Sequence, residues 1–153
     1  MSEVLFYHLE KQSLDDVLPG LVERSLAKGW RVLIRTESGE RAQAVDNLLW
    51  TCGEDNFLPH AQLGDGDAKG QPVLIAMEEG NLNGADVLFL VGGTVPRAWQ
   101  GETADFARIV VLFDGRDAAA LSDARMAWTT ARQSGHEVTY WRQSGSGRWE
   151  KQA

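Results

Sequence analysis

The sequence predicts an α/β fold: a single Rossmann-like domain with a mostly parallel central sheet flanked by helices. Two observations carry this. Three near-continuous apolar runs, Pro72-Val73-Leu74-Ile75-Ala76, Asp86-Val87-Leu88-Phe89-Leu90-Val91 and Ile109-Val110-Val111-Leu112-Phe113, have the composition of strands buried on both faces of a parallel sheet. Strand-like and helix-periodic segments also alternate along the chain, which is the order of βαβ units. At 153 residues the chain is long enough to bury one substantial core. The expected division is an α/β domain over 1–143 and a flexible C-terminal tail over 144–153, where Gly145-Ser146-Gly147 marks a frayed end.

The elements follow in order. Val4-Leu5-Phe6-Tyr7-His8-Leu9 reads as the first strand, rich in aromatic and apolar residues. Leu14, Val17, Leu18, Leu21 and Ser25 then recur at helical spacing, with Ser13 placed to cap the start and Lys28-Gly29 to stop it. Arg31-Val32-Leu33-Ile34-Arg35-Thr36 is a second strand, and a helix begins after Ser38. The Gly- and Asp-rich stretch from Gly53 to Gln71 reads as a loop, followed by the three apolar strands. A last helix runs from Asp117 to Ser134, stops at Gly135, and leads into the strand His136-Glu137-Val138-Thr139-Tyr140-Trp141.

Within the helix after Ser38, Ala42, Val45, Leu49 and Cys52 share one stripe. Trp50 does not. At about 100° per residue it lies roughly 140° from Val45, outside the core-facing stripe. An aromatic ring aimed that way either meets a partner or is covered by the loop that follows it.

Composition excludes several classes. The net charge of −7 argues against a broad nucleic-acid-binding face, though it leaves room for a local basic pocket. One cysteine, Cys52, allows neither a disulfide framework nor a Cys-based metal site. No apolar run approaches the roughly 20 residues that span a bilayer, and Met1-Ser2-Glu3-Val4-Leu5 opens directly into a strand without the basic region of a signal peptide. A cytoplasmic protein without membrane contact is expected.

The chain carries no phosphate-binding loop and no catalytic set. Gly64-Asp65-Gly66-Asp67-Ala68-Lys69-Gly70 lacks the P-loop order and places carboxylates where phosphate would sit. No G-x-G-x-x-G turn follows the first strand. Gly92-Gly93-Thr94 does follow a strand, and it supports an alternative reading as a Rossmann-like nucleotide-binding protein or enzyme. Ser144-Gly145-Ser146-Gly147 lies in the tail and cannot form a nucleophile elbow between strand and helix. His136-Glu137 lacks the second histidine of a zinc-protease helix, and Cys52 sits on a core stripe. No catalysis, cofactor or metal is expected.

The last helix carries the more informative pattern. Ala120, Ala124, Ala127 and Ala131 form a small-residue face that lets the helix lie close against a sheet. Leu121, Arg125, Trp128 and Arg132 form a second stripe about 100° around the helix. Leu121 and Trp128 could wall an apolar pocket while Arg125 and Arg132 engage a carboxylate, as a short acidic peptide with an aromatic side chain would require. Equally, both arginines could lie over Trp128 in cation–π contacts within the fold.

Taken together, several segments resemble the chi subunit family of bacterial DNA polymerase III over almost the whole length. They are Phe6-Tyr7-His8-Leu9, Gly29-Trp30-Arg31-Val32-Leu33-Ile34, Leu48-Leu49-Trp50, Phe57-Leu58-Pro59-His60, Pro72-Val73, and the late helix with Arg125, Trp128 and Gly135. The resemblance implies a non-catalytic accessory subunit that links the clamp-loader complex, through the psi subunit, to the acidic C-terminal tail of single-stranded-DNA-binding protein. It implies a tail pocket at Arg125 and Trp128, on the stripe that holds Leu121 and Arg132. It also implies a psi-binding or helicase-binding surface at Trp50 and Phe57, shaped by Pro59 and His60. Contact with DNA would then be indirect, at a bacterial, nucleoid-associated replisome. Thr129 and Leu121 stand where relatives often carry basic residues, which puts the strength of tail binding in question.

Overall fold

The structure, a computed structural model, describes residues 3–10, 12–51, 60–62, 70–77, 81–92, 106–143 and 148–152, with the side chains of Trp50 and Thr51 outside that set. The described elements run β1 (Glu3–Leu9), α1 (Leu14–Ala27), β2 (Val32–Arg35), α2 (Gly39–Thr51), β3 (His60–Gln62), β4 (Val73–Ala76), β5 (Val87–Leu90), β6 (Arg108–Asp114), α3 (Ala118–Gln133), β7 (Glu137–Gln143) and β8 (Trp149–Lys151). They form one sheet in the order β3-β4-β2-β5-β6-β1-β7-β8, parallel throughout except for the antiparallel β7–β8 pair. This is the expected α/β architecture, with helices on both faces.

The strand order explains which helix lies where. From β1 the chain crosses toward the β3 edge through α1, and it continues in that direction through α2. From β6 it crosses toward the β8 edge through α3. Crossovers of one hand that run in opposite directions must use opposite faces of the sheet. Accordingly Val17, Leu18 and Val22 of α1 and Ala42, Val45 and Leu49 of α2 share a core with Val32, Ile34, Val87 and Phe89. Ala124, Ala127 and Ala131 of α3 share the other core with Val4, Phe6, Leu33, Leu88 and Val111. The continuous apolar strands are buried on both faces, as their composition requires.

Helix ends follow local chemistry. The Asp16 carboxylate accepts from the Ser13 amide at 3.0 Å and from its hydroxyl at 3.1 Å, closing the first turn of α1. The Ser38 hydroxyl accepts from the Arg41 amide at 3.1 Å and starts α2. Asp117 caps α3, its carboxylate accepting from the amides of Ala119 at 3.0 Å and Ala120 at 3.3 Å. Gly29 and Gly135 end α1 and α3 with positive φ, where a side chain would be strained.

Two short strands depart from expectation. His60–Gln62 falls inside the stretch read as a loop, and pairs in parallel with β4. Trp149–Lys151 falls inside the stretch read as a tail, and pairs antiparallel with β7. Each has three residues and only one or two apolar side chains, so neither carries a periodicity of its own. Their order comes from pairing with a longer neighbour. On α1, Val22 is buried in the stripe beside Val17 and Leu18, whereas Leu14 and Leu21 are only half-buried.

Replacing Asp117 by Ala leaves two first-turn amides of α3 without an acceptor. A stability loss of about 1 kcal/mol is expected, measured as a lower urea midpoint at unchanged slope.

Candidate functional site

The candidate site on α3 is built on aromatic side chains from β1 and β7. Strand alternation sends Phe6 and His8 of β1 to the α3 face, and Tyr140 of β7 to the same face. Trp128 drops between them. Its ring meets Phe6 edge-on at 5.8 Å and Tyr140 edge-on at 5.8 Å. Leu121 packs against the same core two turns earlier in the helix. Trp128 and Leu121 are half-buried, so one side of each is covered and the other is available.

A polar chain holds the cluster from beneath. Tyr140 Oη lies 2.6 Å from His8 Nδ1, and His8 Nε2 lies 2.9 Å from Glu10 Oε1. A carboxylate only accepts, so His8 donates from Nε2 and accepts the Tyr140 hydroxyl proton at Nδ1. Arg142 Nη2 donates to the same Glu10 oxygen at 2.8 Å. Some desolvation pushes the Glu10 carboxyl up, but hydrogen bonds from His8 and Arg142 and the charge of Arg142 outweigh it and hold Glu10 below its ordinary value. Burial pushes the Tyr140 hydroxyl up, against the pull of Arg125 and Arg142. The arrangement needs Gly115: a Cβ there would stand 1.9 Å from His8 Nε2.

The two arginines of the stripe behave differently. Arg132 lies over the Trp128 ring, its guanidinium carbon 5.6 Å from the centroid. Arg125 is exposed and forms no ion pair among the described residues. Its charge is nevertheless felt at the Tyr140 hydroxyl. Stacking of arginine on Trp128 within the fold therefore accounts for Arg132 and leaves Arg125 with its donors unused. All four sequence-derived residues come together, with Tyr140 and His8 as additions. Their signal was an aromatic and a histidine on two strands, invisible as a pair until the sheet order placed β1 beside β7.

The second candidate surface is only partly described. Trp50 lies in α2, and its side chain, with Phe57 and Pro59, is outside the described residues. His60 is described. Its side chain is fully covered, with Nε2 2.8 Å from Asp46 Oδ1, four residues before Trp50. Gln62 donates to the other Asp46 oxygen at 3.2 Å and to Gln43 Oε1 at 3.2 Å. His60 thus fastens β3 beneath α2, and any effect on a partner at this surface passes through the position of that strand.

Of the Gly92-Gly93-Thr94 turn only Gly92 lies among the described residues. The Glu37 carboxylate sits against Gly92, where a Cβ would be 1.4 Å from Oε2. The neighbouring cleft, about 550 Å³, lies beyond the carboxyl ends of β1 and β6, where crossovers leave in opposite directions. That is the position where open α/β sheets commonly take ligands. Here it is lined by Asp15, Asp114, Asp117 and Asp123 against Arg41 and Arg116. The first-turn amides of α3 that face it are already held by Asp117, so the usual donors for an anion are in use. Among the described residues no group of three or more His, Cys, Asp or Glu could hold a metal, and no helix is long and apolar enough to cross a membrane.

Comparison with known proteins gives one consistent result. The family model described as DNA polymerase III chi subunit matches residues 1–139, a span that includes both candidate surfaces. A probable DNA polymerase III subunit chi from Rickettsia prowazekii (strain Madrid E) is 26% identical over 94 residues, 61% of this chain and 57% of that protein. DNA polymerase III subunit chi of Escherichia coli (strain K12) is 35% identical over 83 residues, 50% of this chain and 56% of that protein. The chain thus spans little more than half the length of the curated relatives it matches.

Tyr140→Phe removes the hydroxyl bonded to His8 Nδ1 and leaves a buried ring nitrogen without its partner. It is expected to cost about 1 kcal/mol of stability, read by chemical denaturation, with the ring contacts to Trp128 kept.

Proposed function

The chain belongs to the DNA polymerase III chi subunit family, and from that premise we propose that it is a non-catalytic accessory subunit of the holoenzyme's clamp-loader complex in DNA replication. In this reading it bridges two partners. The α3 site takes the acidic C-terminal tail of single-stranded-DNA-binding protein, and the Trp50 surface takes the psi subunit or a helicase. The tail holds the chain near DNA.

One observation supports the tail pocket above the rest. A half-buried Trp128 stands between Arg125, whose donors are unused, and Arg132, on a protein whose net charge is −7. Such a site suits a segment that ends in an aromatic side chain and a free carboxylate. The ring would pack on Leu121 and Trp128, and the carboxylate would meet the guanidinium in a charge-assisted bond. Phe6 and Tyr140 hold the Trp128 ring, so little side-chain freedom is lost on binding. Thr129 bonds back to the Arg125 carbonyl at 3.2 Å and adds no charge, so binding rests on two arginines.

For the other surface, support comes from sequence position. Trp50 falls off the stripe of α2 that Ala42, Val45 and Leu49 bury. The α2 helix lies on the opposite face of the sheet from α3, so two partners could be held at once.

A peptide with an acidic stretch and a terminal Pro-Phe carboxylate should bind the intact chain, more weakly as salt rises. Arg125→Ala should weaken binding by about 1.5–3 kcal/mol, the scale of a hydrogen bond to a charged group, by calorimetry or anisotropy; unchanged affinity removes Arg125 from the site. Trp50→Ala should abolish capture of psi or the helicase from cell extract and leave peptide binding intact. Loss of both activities would make Trp50 a structural residue.

A further inference from the structure

The face of the sheet opposite the α3 site carries aromatic rings with cations beside them. Tyr7 of β1 and Trp141 of β7 are direct cross-strand partners, their rings near-parallel with centroids 6.5 Å apart. Trp149 of β8 stands edge-on to Tyr7 at 4.9 Å. All three are half-buried. The helices on this face, α1 and α2, pack over β2, β4 and β6 and leave the rings partly open. Trp141 is fixed by a bond from Nε1 to Thr139 Oγ1 at 3.1 Å.

Next to Tyr7 is a pocket of about 150 Å³, where Arg24 and Lys28 of α1 meet Arg108 of β6. Lys28 and Arg108 also lie over Trp30, 4.9 and 5.0 Å from its ring. Glu3 neutralises part of Arg108 at 3.4 Å, and by strand register Glu137 stands beside Glu3. Both carboxylates, like Arg108, are at the amino ends of their strands, while Arg24 and Lys28 of α1 form no ion pair among the described residues. On a chain of net charge −7, cations gathered beside stacked rings are a local reversal of sign.

We propose that this face binds single-stranded nucleic acid directly, bases stacking on Tyr7, Trp141 and Trp149 while phosphates meet Arg24, Lys28 and Arg108. Rings that take any base, beside cations that track a backbone, are the general solution for sequence-independent single-strand binding. An acidic protein partner would satisfy the cations but would have no need for a row of flat rings. The contact is weak alone and gains effective concentration when the chain is already held near a single strand. It does not depend on the tail pocket, which lies on the other face.

The test uses the full chain and a labelled oligothymidylate of about 12 nucleotides, followed by anisotropy at about 20 and 200 mM salt. Binding at low salt, weakened at high salt and by about tenfold or more in the exposed double variant Arg24→Glu/Lys28→Glu, is expected. Trp149→Ala should weaken it and reduce quenching of tryptophan fluorescence, while Arg125→Ala should leave it unchanged. No binding at low salt overturns the proposal. So does undiminished binding by the double variant, or equal affinity for a polyglutamate peptide of matched charge, which would make the face a site for acidic proteins. Failure here with tail-peptide binding intact leaves the α3 reading standing.

Discussion

The alternation of β1 between two parallel neighbours governs both faces of the molecule. β1 lies between β6 and β7, so its backbone is paired on both sides and its side chains can only point up or down. Even-numbered residues go to α3: Val4 and Phe6 into the core, His8 beneath Tyr140. Odd-numbered residues go to the other face, where Tyr7 meets Trp141 and Trp149. One strand therefore seats the ring on which Trp128 rests and the ring beside the basic pocket. A one-residue slip of β1 would exchange the two sets and dismantle both.

Charge follows the same economy of placement. The chain is acidic overall, and carboxylates stand where Rossmann-like folds otherwise accept phosphate: at the cleft beyond β1 and β6, and against Gly92. Other cations stand beside indole rings. Trp128 has Arg132 above it, and Trp30 has Lys28 and Arg108. Fold and chemistry are thus separable here. The scaffold common to nucleotide-binding domains is kept, while the usual ligand position is lined by four aspartates against two arginines.

How much of this was legible follows from where each signal is stored. The apolar strands and both ends of α3 were readable because each is local: a composition, a capping Asp117, a Gly135 at positive φ. The stripe of Leu121, Arg125, Trp128 and Arg132 was readable for the same reason. The surroundings of Trp128 were not, because they come from Phe6 and Tyr140, which sequence distance separates from Trp128 and only the sheet order brings near. β3 and β8 were missed because a three-residue strand has no period to detect. His60 read as a loop residue after Pro59, yet Asp46 covers it from α2, a pairing no local pattern announces.

Those two short strands have a consequence for how the molecule meets others. Among the described residues they are the outermost strands of the sheet, and each is only three residues long. An edge that short is a poor template for a visiting strand, which protects against edge-to-edge aggregation. It is equally short for recognition by strand addition, the mode in which backbone bonds supply affinity with little regard to side chains. A partner that docks on a face of the sheet instead meets side chains, such as Trp128 with Arg132 over it, and each of these is open to change one residue at a time.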